Sequence, residues 1–181
     1  MLTRLALLRH LWCDAADARR LIGKRTLHHL EARVRESEQR HTGEICLCVE
    51  ASLPLSYLWR HVRYREPLPR VVRERALALF GKLRVWDTEL NNGVLIYLQL
   101  TEHRIEIVAD RGVARHVEDA EWQRMLAGMR DNFRAGRYED GLTRAIDAVG
   151  AALEQHFPRP AGEEGADAPR DNQIPDQPVI R

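Results

Sequence analysis

Residues 91–109 read NNGVLIYLQLTEHRIEIVA, and this stretch decides the fold. The run VLIYLQL at 94–100, which is apolar except for Gln99, is typical of a strand that is covered on both faces. A polar turn at 101–103 follows, after which residues 104–109 alternate between polar and apolar side chains. The stretch therefore predicts an antiparallel hairpin whose second strand lies nearer the edge of a sheet.

A second apolar run, at residues 45–49, is the other strand that the sequence predicts. Apolar residues at helical spacing lie between the two runs, at 69–83, so we expect a helical crossover between parallel strands. Helical spacing also marks three more segments, residues 14–40, 122–133 and 142–153. We therefore predict an α/β fold, a three-layer α/β/α sandwich around a small mixed sheet.

The length of 181 residues suits one globular domain. Residues 158–181 contain five of the eight prolines together with several acidic residues. Such a segment buries too little apolar surface to offset the entropy lost on ordering, so we predict a disordered Pro/acid-rich tail over 158–181. The domain then covers 41–157, and residues 1–40 form an N-terminal helical segment that packs on it.

The start of the chain carries Leu2, Leu5, Leu8 and Trp12 at helical spacing. Its apolar run is too short for a signal peptide, and no run approaches the roughly 20 apolar residues that a membrane span requires. The stripe either packs on the domain, which we expect, or lies on a membrane surface. We therefore expect a cytoplasmic protein, with peripheral membrane association as the alternative.

The charge balance and the cysteines exclude two classes of protein. The chain has 28 Lys and Arg against 27 Asp and Glu, so it lacks the basic surplus that would neutralise phosphates, and a nucleic-acid partner is not expected. Three cysteines cannot form an even disulfide framework. Cys46 and Cys48 share one face of the predicted strand and are expected to be small buried hydrophobes.

The predicted topology brings Glu44, the loop at 86–93 and residues 110–112 to one edge of the sheet. The loop is dense in oxygen ligands, of which Ca²⁺ takes about six to eight, although it is not an EF-hand because its glycine is misplaced. The candidate ligands for Ca²⁺ or Mg²⁺ are Asp87, Glu89, Asn91, Asn92 and Asp110. Alternatively, Asn91-Asn92-Gly93 is only a turn that supplies a positive φ before the strand.

Standard catalytic signatures are missing from the sequence. It contains no Cys-x5-Arg phosphatase loop, G-x-S-x-G elbow, Walker A loop or H-E-x-x-H motif. Only Asp87, Glu89 and Arg111 remain as candidates for catalysis, Arg111 because a guanidinium binds a phosphate oxygen.

Residues 54–75, the arginine–aromatic segment, carry six arginines against two glutamates. We expect a long loop whose aromatic residues hold it on the body of the protein while its arginines are solvated. The alternative is a surface for a membrane-protein complex or an anionic membrane. The residues of that surface would be Tyr57, Trp59, Arg60, Arg63, Tyr64 and Arg65.

Three pieces of the sequence together resemble the TPM domain family. They are the run NNGVLIYL at 91–98, the hairpin that ends in ADRG at 109–112, and FRAGRYEDG at 133–141, which follows the pattern F-x-x-G-x-[YF]-x-x-G. The resemblance covers about residues 41–157. The family is known from bacterial proteins, a thylakoid-lumen protein of photosystem II repair and a nematode receptor-auxiliary protein.

The resemblance implies an α/β/α sandwich, bound Ca²⁺ as in some members, and the acid phosphatase activity that has been attributed to a plant member. Carried over to this chain, the implied site falls on Asn91-Asn92-Gly93 with Asp87, and on Asp110. Asn91 stands where many relatives have aspartate, and Asp87 and Glu89 are the nearest carboxylates in the loop.

Two functions follow as hypotheses. The first is an accessory or interaction module for membrane-associated complexes that binds Ca²⁺ at the predicted edge. The alternative is a metal-assisted acid phosphatase that hydrolyses phosphomonoesters.

Overall fold

A computed structural model of the chain describes residues 14–159 and 172–181. Within these residues four strands form one mixed sheet: β1 (Glu44–Glu50), β2 (Gly93–Gln99), β3 (Arg104–Ala109) and β4 (Val179–Ile180). Their order across the sheet is β3-β2-β1-β4. β1 runs parallel to both β2 and β4, and β2 pairs antiparallel with β3, so the predicted parallel crossover and the predicted hairpin are confirmed.

Helices cover both faces of this sheet. They are α1 (Ala15–Ile22), α2 (Lys24–Glu38), α3 (Leu55–Tyr64), α4 (Leu68–Lys82), α5 (Arg111–Ala114), α6 (Asp119–Ala127), α7 (Arg130–Arg134) and α8 (Tyr138–His156). Buried side chains of α1, α2, α6, α7 and α8 form one core with the sheet, and those of α3 and α4 form a second core on its opposite face. The three-layer α/β/α sandwich is therefore confirmed.

Both central strands are buried on both faces. In β1 the side chains of Ile45, Leu47 and Val49 join the first core, while Cys46 and Cys48 join the second. The two cysteines are free thiols, and burial raises the pKa of Cys46 to about 12. They are the small buried hydrophobes that the sequence predicted. Cys13 lies outside the described residues.

Three predicted helical or loop segments differ in the structure. The segment 14–40 is two helices rather than one, because Gly23 has a φ of 81° and separates α1 from α2. The segment 122–133 is likewise divided into α6 and α7. The expected long loop at 54–75 is wrong, because most of it is helical, in α3 and the first half of α4.

The predicted disordered tail is wrong for residues 158–159 and 172–181, whereas 160–171 lie outside the described residues. Pro158 forms a bridge with His41. β4 extends the sheet, with the amide of Arg181 donating to the Val49 carbonyl at 3.0 Å. The many prolines and acidic residues of this segment led to the prediction of disorder. However, Ile174 is 4% exposed and anchors the segment in the second core.

The N-terminal helices pack on the body of the protein. Leu30 and Val34 of α2 are fully buried in the first core, and the Arg33 guanidinium pairs with Asp147 of α8 at 2.8 Å. The predicted stripe of Leu2, Leu5, Leu8 and Trp12 lies outside the described residues, so its packing stays a prediction.

Candidate functional site

One edge of the sheet collects the starts of β1 and β2 and the end of β3, and we call it the Asp110 edge. Glu44 pairs with Gly93 in the register of the two parallel strands. The amide of Asp110 donates to the Gly93 carbonyl at 2.9 Å. The structure therefore places Asn91, Asn92, Asp110 and Arg111 at this edge.

The turn before β2 depends on Thr88 and the two asparagines. Asn91 has a φ of 52°, a left-handed conformation that asparagine tolerates. The amide of Asn92 donates to the Thr88 hydroxyl at 3.1 Å, and its side-chain nitrogen donates to the Thr42 carbonyl at 3.0 Å. A Cβ at Gly93 would lie 1.9 Å from the Val85 carbonyl oxygen, so the position requires glycine. Asn92 thus serves the turn.

Asp110 is a buried carboxylate at this edge. The residue is 5% exposed, and its Oδ1 accepts a 2.7 Å hydrogen bond from the amide of Arg111, at the start of α5. Its Oδ2 is buried, and no group in residues 14–159 and 172–181 donates a hydrogen bond to it. A buried carboxylate oxygen without a donor is costly, so this atom favours the approach of a cation.

Two backbone oxygens lie close to Gly112, two residues after Asp110. A Cβ at Gly112 would lie 2.5 Å from the Asn91 carbonyl oxygen and 2.8 Å from that of Leu90. The Asn91 side chain is close as well, because its Oδ1 accepts from Nη2 of Arg111 at 3.2 Å. Oxygens of Leu90 and Asn91 therefore lie beside residues 111 and 112, which directly follow the Asp110 carboxylate.

Asp87 and Glu89 are exposed and do not complete this group. The Asp87 carboxylate pairs with the Arg84 guanidinium at 2.6 Å, and the backbone of Glu89 is held by a 3.0 Å bond from its amide to Oε1 of Gln173. Among the described residues, no three His, Cys, Asp or Glu side chains are placed to hold a metal ion. Of the predicted ligands Asp87, Glu89, Asn91, Asn92 and Asp110, the three carboxylates therefore do not form one such cluster, and the Asp87 carboxylate instead contacts Arg84.

The arginine–aromatic segment forms the second candidate surface. Part of it is used within the fold: Arg60 pairs with Glu66 at 3.0 Å and Glu74 at 2.6 Å, and the Arg75 guanidinium lies 5.4 Å from the centre of the Tyr57 ring. Tyr57 and Arg60, which belong to the partner surface that the sequence offered as an alternative, thus hold α3 on α4.

The outer face of α3 is apolar. Leu55, Trp59 and Val62 are 65%, 57% and 56% exposed, and we call them the α3 stripe. The Tyr64 ring, which is also exposed, packs edge-on against Trp59 at 5.4 Å between ring centres. The spacing i, i+4, i+7 was present in the sequence, but the arginine content favoured a loop over a helix.

Comparison with known proteins places this fold in a family. A family model of the TPM domain matches residues 16–152. The chain belongs to the TPM domain family. The match begins in α1, so the TPM domain includes the N-terminal helices that the sequence pattern alone placed outside it, and it ends within α8, before β4.

Two solved structures share the TPM fold of this chain. The NMR structure of the BA42 protein from the psychrophilic bacterium Bizionia argentinensis is 22% identical, has a TM-score of 0.66, and is matched over 87% of this chain and 93% of that one. The solution NMR structure of the N-terminal domain of a P. gingivalis protein is also 22% identical, with a TM-score of 0.58 and coverage of 77% and 83%. No curated protein matches this chain.

The opposite edge of the TPM sheet holds a buried charged cluster that sequence patterns did not reveal. Glu50, at the end of β1, accepts a 2.7 Å hydrogen bond from the Tyr97 hydroxyl and pairs with the Arg75 guanidinium. Burial, together with the Glu50 carboxylate, raises the pKa of Tyr97. The cluster joins α4 to the two central strands and has a structural role.

A mostly apolar cavity of about 250 Å³ opens at the same end of the TPM domain. It is lined in part by Leu21 of α1, Leu100 after β2, and the paired side chains of His103 and Tyr138.

No helix in residues 14–159 and 172–181 is both long enough and apolar enough to cross a bilayer.

Proposed function

We propose that this TPM domain protein is an accessory module for membrane-associated complexes that binds Ca²⁺ at the Asp110 edge. The observation that carries the proposal is the buried Oδ2 of Asp110, which lacks a hydrogen-bond donor among the described residues. A cation would satisfy this oxygen, and a carboxylate in a poorly solvated position interacts strongly with a cation.

The ligands that we propose combine side-chain and backbone oxygens. They are the Asp110 carboxylate, the carbonyls of Leu90 and Asn91, which lie beside Gly112, and the Asn91 side-chain oxygen, which also accepts from Arg111. Carboxylates and carbonyls on an irregular loop suit Ca²⁺, whereas Mg²⁺ demands a more regular octahedron and keeps more water. Asp87 and Glu89 lie on the same loop and add negative charge, although they are not required as ligands.

Such a cation would act as a structural cross-link in the module. It would join the turn before β2 to the end of β3, two segments that the backbone already connects through Asp110 and Gly93. A protein that binds Ca²⁺ in its native state alone is stabilised by mass action, so Ca²⁺ is expected to raise the melting temperature.

The test is calorimetric titration of Ca²⁺ and of Mg²⁺ into the purified chain and its variants. We expect Asp110→Asn and Asp110→Ala to weaken binding by about tenfold or more, because they remove the central anionic ligand. Asp87→Ala is expected to have a smaller effect, since Arg84 holds that carboxylate.

Asp140→Asn is the matched control, because this exposed aspartate lies on α8 and is not part of the Asp110 edge. It should bind Ca²⁺ as the parent does. The proposal is overturned if the parent shows neither heat nor a shift in melting temperature, or if Asp110→Asn binds normally.

The alternative function is a metal-assisted acid phosphatase, and one observation favours it. Arg111 is exposed beside Asp110, and its guanidinium, which donates to Asn91 Oδ1, would bind a phosphate oxygen in this function. A bound cation would supply charge stabilisation for the phosphoryl group. Asp87 and Glu89 are exposed carboxylates that stay candidates for a general base.

Hydrolysis of p-nitrophenyl phosphate, measured with and without Ca²⁺ or Mg²⁺, separates the two functions. For the accessory module we expect no cation-dependent turnover. Turnover that falls by about a hundredfold in both Asp110→Asn and Arg111→Gln would favour the phosphatase instead.

A further inference from the structure

The α3 stripe is separate from the face by which this helix packs on the protein. Leu58 is 4% exposed and joins the second core, whereas Leu55, Trp59 and Val62 are more than half exposed. At about 100° per residue these three side chains fall within an arc of roughly 60°. The helix therefore presents a narrow, continuous apolar face to its surroundings.

The charges that accompany this face are positive. Arg60 is neutralised by Glu66 and Glu74. Arg63 and Arg65 are exposed, and neither forms an ion pair within the described parts of the chain. The Arg63 guanidinium instead lies 5.6 Å from the centre of the Tyr64 ring. Two cationic groups without acidic partners thus stand at the C-terminal end of the apolar stripe.

This combination matches the interface of an anionic bilayer. Tryptophan and tyrosine favour the headgroup level, aliphatic side chains insert below it, and arginines bind the phosphates above it. α3 has 10 residues, a length of about 15 Å, which suits a helix that lies in the interface and does not span the bilayer. A polar protein partner would not need the three adjacent apolar side chains, and a purely apolar one would leave both arginines without counter-charges.

We propose that α3 is an interfacial anchor that binds anionic lipid headgroups with Arg63 and Arg65 and inserts Leu55, Trp59 and Val62 at the membrane surface. The inference deepens the proposed function by naming how the module reaches a membrane, and it rests on that function only in treating the chain as a binding module. It does not require the Asp110 edge.

The test is flotation of the full chain with vesicles of phosphatidylcholine alone and with vesicles that also contain phosphatidylglycerol. We expect binding to the anionic vesicles, and we expect added salt to weaken it because the arginine contribution is screened. Binding to the neutral vesicles should be weaker by about tenfold.

Two pairs of variants separate the apolar and cationic contributions. Trp59→Ala is expected to reduce binding by about tenfold, whereas Trp86→Ala removes a tryptophan that is 48% exposed elsewhere and should leave binding unchanged. Arg63→Gln with Arg65→Gln should remove the preference for anionic vesicles. Arg20→Gln with Arg134→Gln lowers the net charge equally, at two other exposed positions, and should retain it.

The proposal is overturned if the parent does not float with anionic vesicles, or if the control variants lose as much binding as the α3 variants. It is also overturned if light scattering shows that the stripe joins two copies of the chain and Trp59→Ala releases monomers. A Ca²⁺ titration of the same samples distinguishes the two proposals, because intact cation binding without flotation rejects only the anchor.

Discussion

Asp110 connects the fold to the candidate site at the scale of a single residue. Its Oδ1 caps α5, while its buried Oδ2 has no donor among the described residues. The capping interaction needs only an acceptor oxygen, which asparagine also supplies. The cap therefore does not require the negative charge, and the proposed cation would be the group that uses it.

Asp110→Asn should consequently leave the protein folded when divalent cations are absent. We expect its free energy of unfolding to stay within about 1 kcal/mol of the parent value or to rise, since a buried charge is removed while the cap remains. Urea unfolding with a chelator measures this. The same experiment with Ca²⁺ should stabilise the parent alone, and a loss of several kcal/mol under chelation would show that the carboxylate is structural.

The two buried thiols predict how stability depends on pH. Burial raises the pKa of Cys46 to about 12 and also raises that of Cys48, whereas an exposed thiol has a value near 9.0. Above pH 9 the unfolded chain loses these protons while the folded chain keeps them. Their contribution to stability is therefore complete below about pH 9 and declines as pH rises, by up to about 1.4 kcal/mol per pH unit for each thiol.

Urea unfolding from about pH 8 to about pH 10 tests this, with Cys46→Ala combined with Cys48→Ala as the comparison. The double variant should show a shallower decline in the free energy of unfolding than the parent. Equal slopes would mean that the thiols ionise as easily in the folded protein as in the unfolded chain.

At the scale of the element, the step between α7 and α8 depends on a glycine of the family pattern. A Cβ at Gly141 would lie 2.6 Å from the Phe133 ring, which is fully buried between the two helices. Alanine is the better helix former, but here its methyl group would displace a core aromatic ring. This close contact explains why the pattern F-x-x-G-x-[YF]-x-x-G begins with phenylalanine and ends with glycine.

Gly141→Ala should therefore destabilise the protein by about 1–3 kcal/mol, measured as the free energy of unfolding. Gly81→Ala in α4 is the matched control, because a Cβ at that position would have no atom within 4 Å. We expect that variant to gain about 0.5–1 kcal/mol from helix propensity alone. The same sign of change at both positions would contradict the packing argument.

The strand β4 is an element that local sequence patterns did not reveal. Its two residues pair with Cys48 and Val49 at the edge of the sheet. Ile174, in the segment that leads to β4, is buried in the second core. Ile174→Ala should cost about 2–4 kcal/mol, whereas a disordered tail would make the substitution neutral. Ile180→Ala, at a partly exposed position, should cost less, and equal small effects in thermal unfolding would argue against the added strand.

At the scale of the whole molecule, the sequence predicted what depends on local periodicity. The runs at 45–49 and 94–100 are apolar at every position but one because both faces are covered, so their burial and the sandwich could be predicted. The proximity of Gly93 to Asp110 could also be predicted, because the helical crossover and the hairpin bring both residues to the same edge of the sheet. These features are set by neighbouring residues and by general rules of chain connection.

The rest depends on contacts between distant residues. β4 is stable only because β1 offers an unpaired edge more than a hundred residues away in the sequence. Asp87 was a reasonable ligand by type, yet its carboxylate contacts Arg84, which adopts a φ of 57°, and the spacing of the sequence does not reveal this pair. The helix α3 was likewise not predicted, because the high arginine content of the segment favoured a loop although its apolar residues have helical spacing.

The central claim is that the Asp110 edge binds Ca²⁺, and the most direct test is a titration of the ¹⁵N-labelled protein followed by NMR. We predict that Ca²⁺ shifts the backbone amide signals of Asn91, Arg111 and Gly112, and that Asp110→Asn abolishes these shifts. Unchanged spectra, or shifts confined to other acidic surfaces, would contradict the claim.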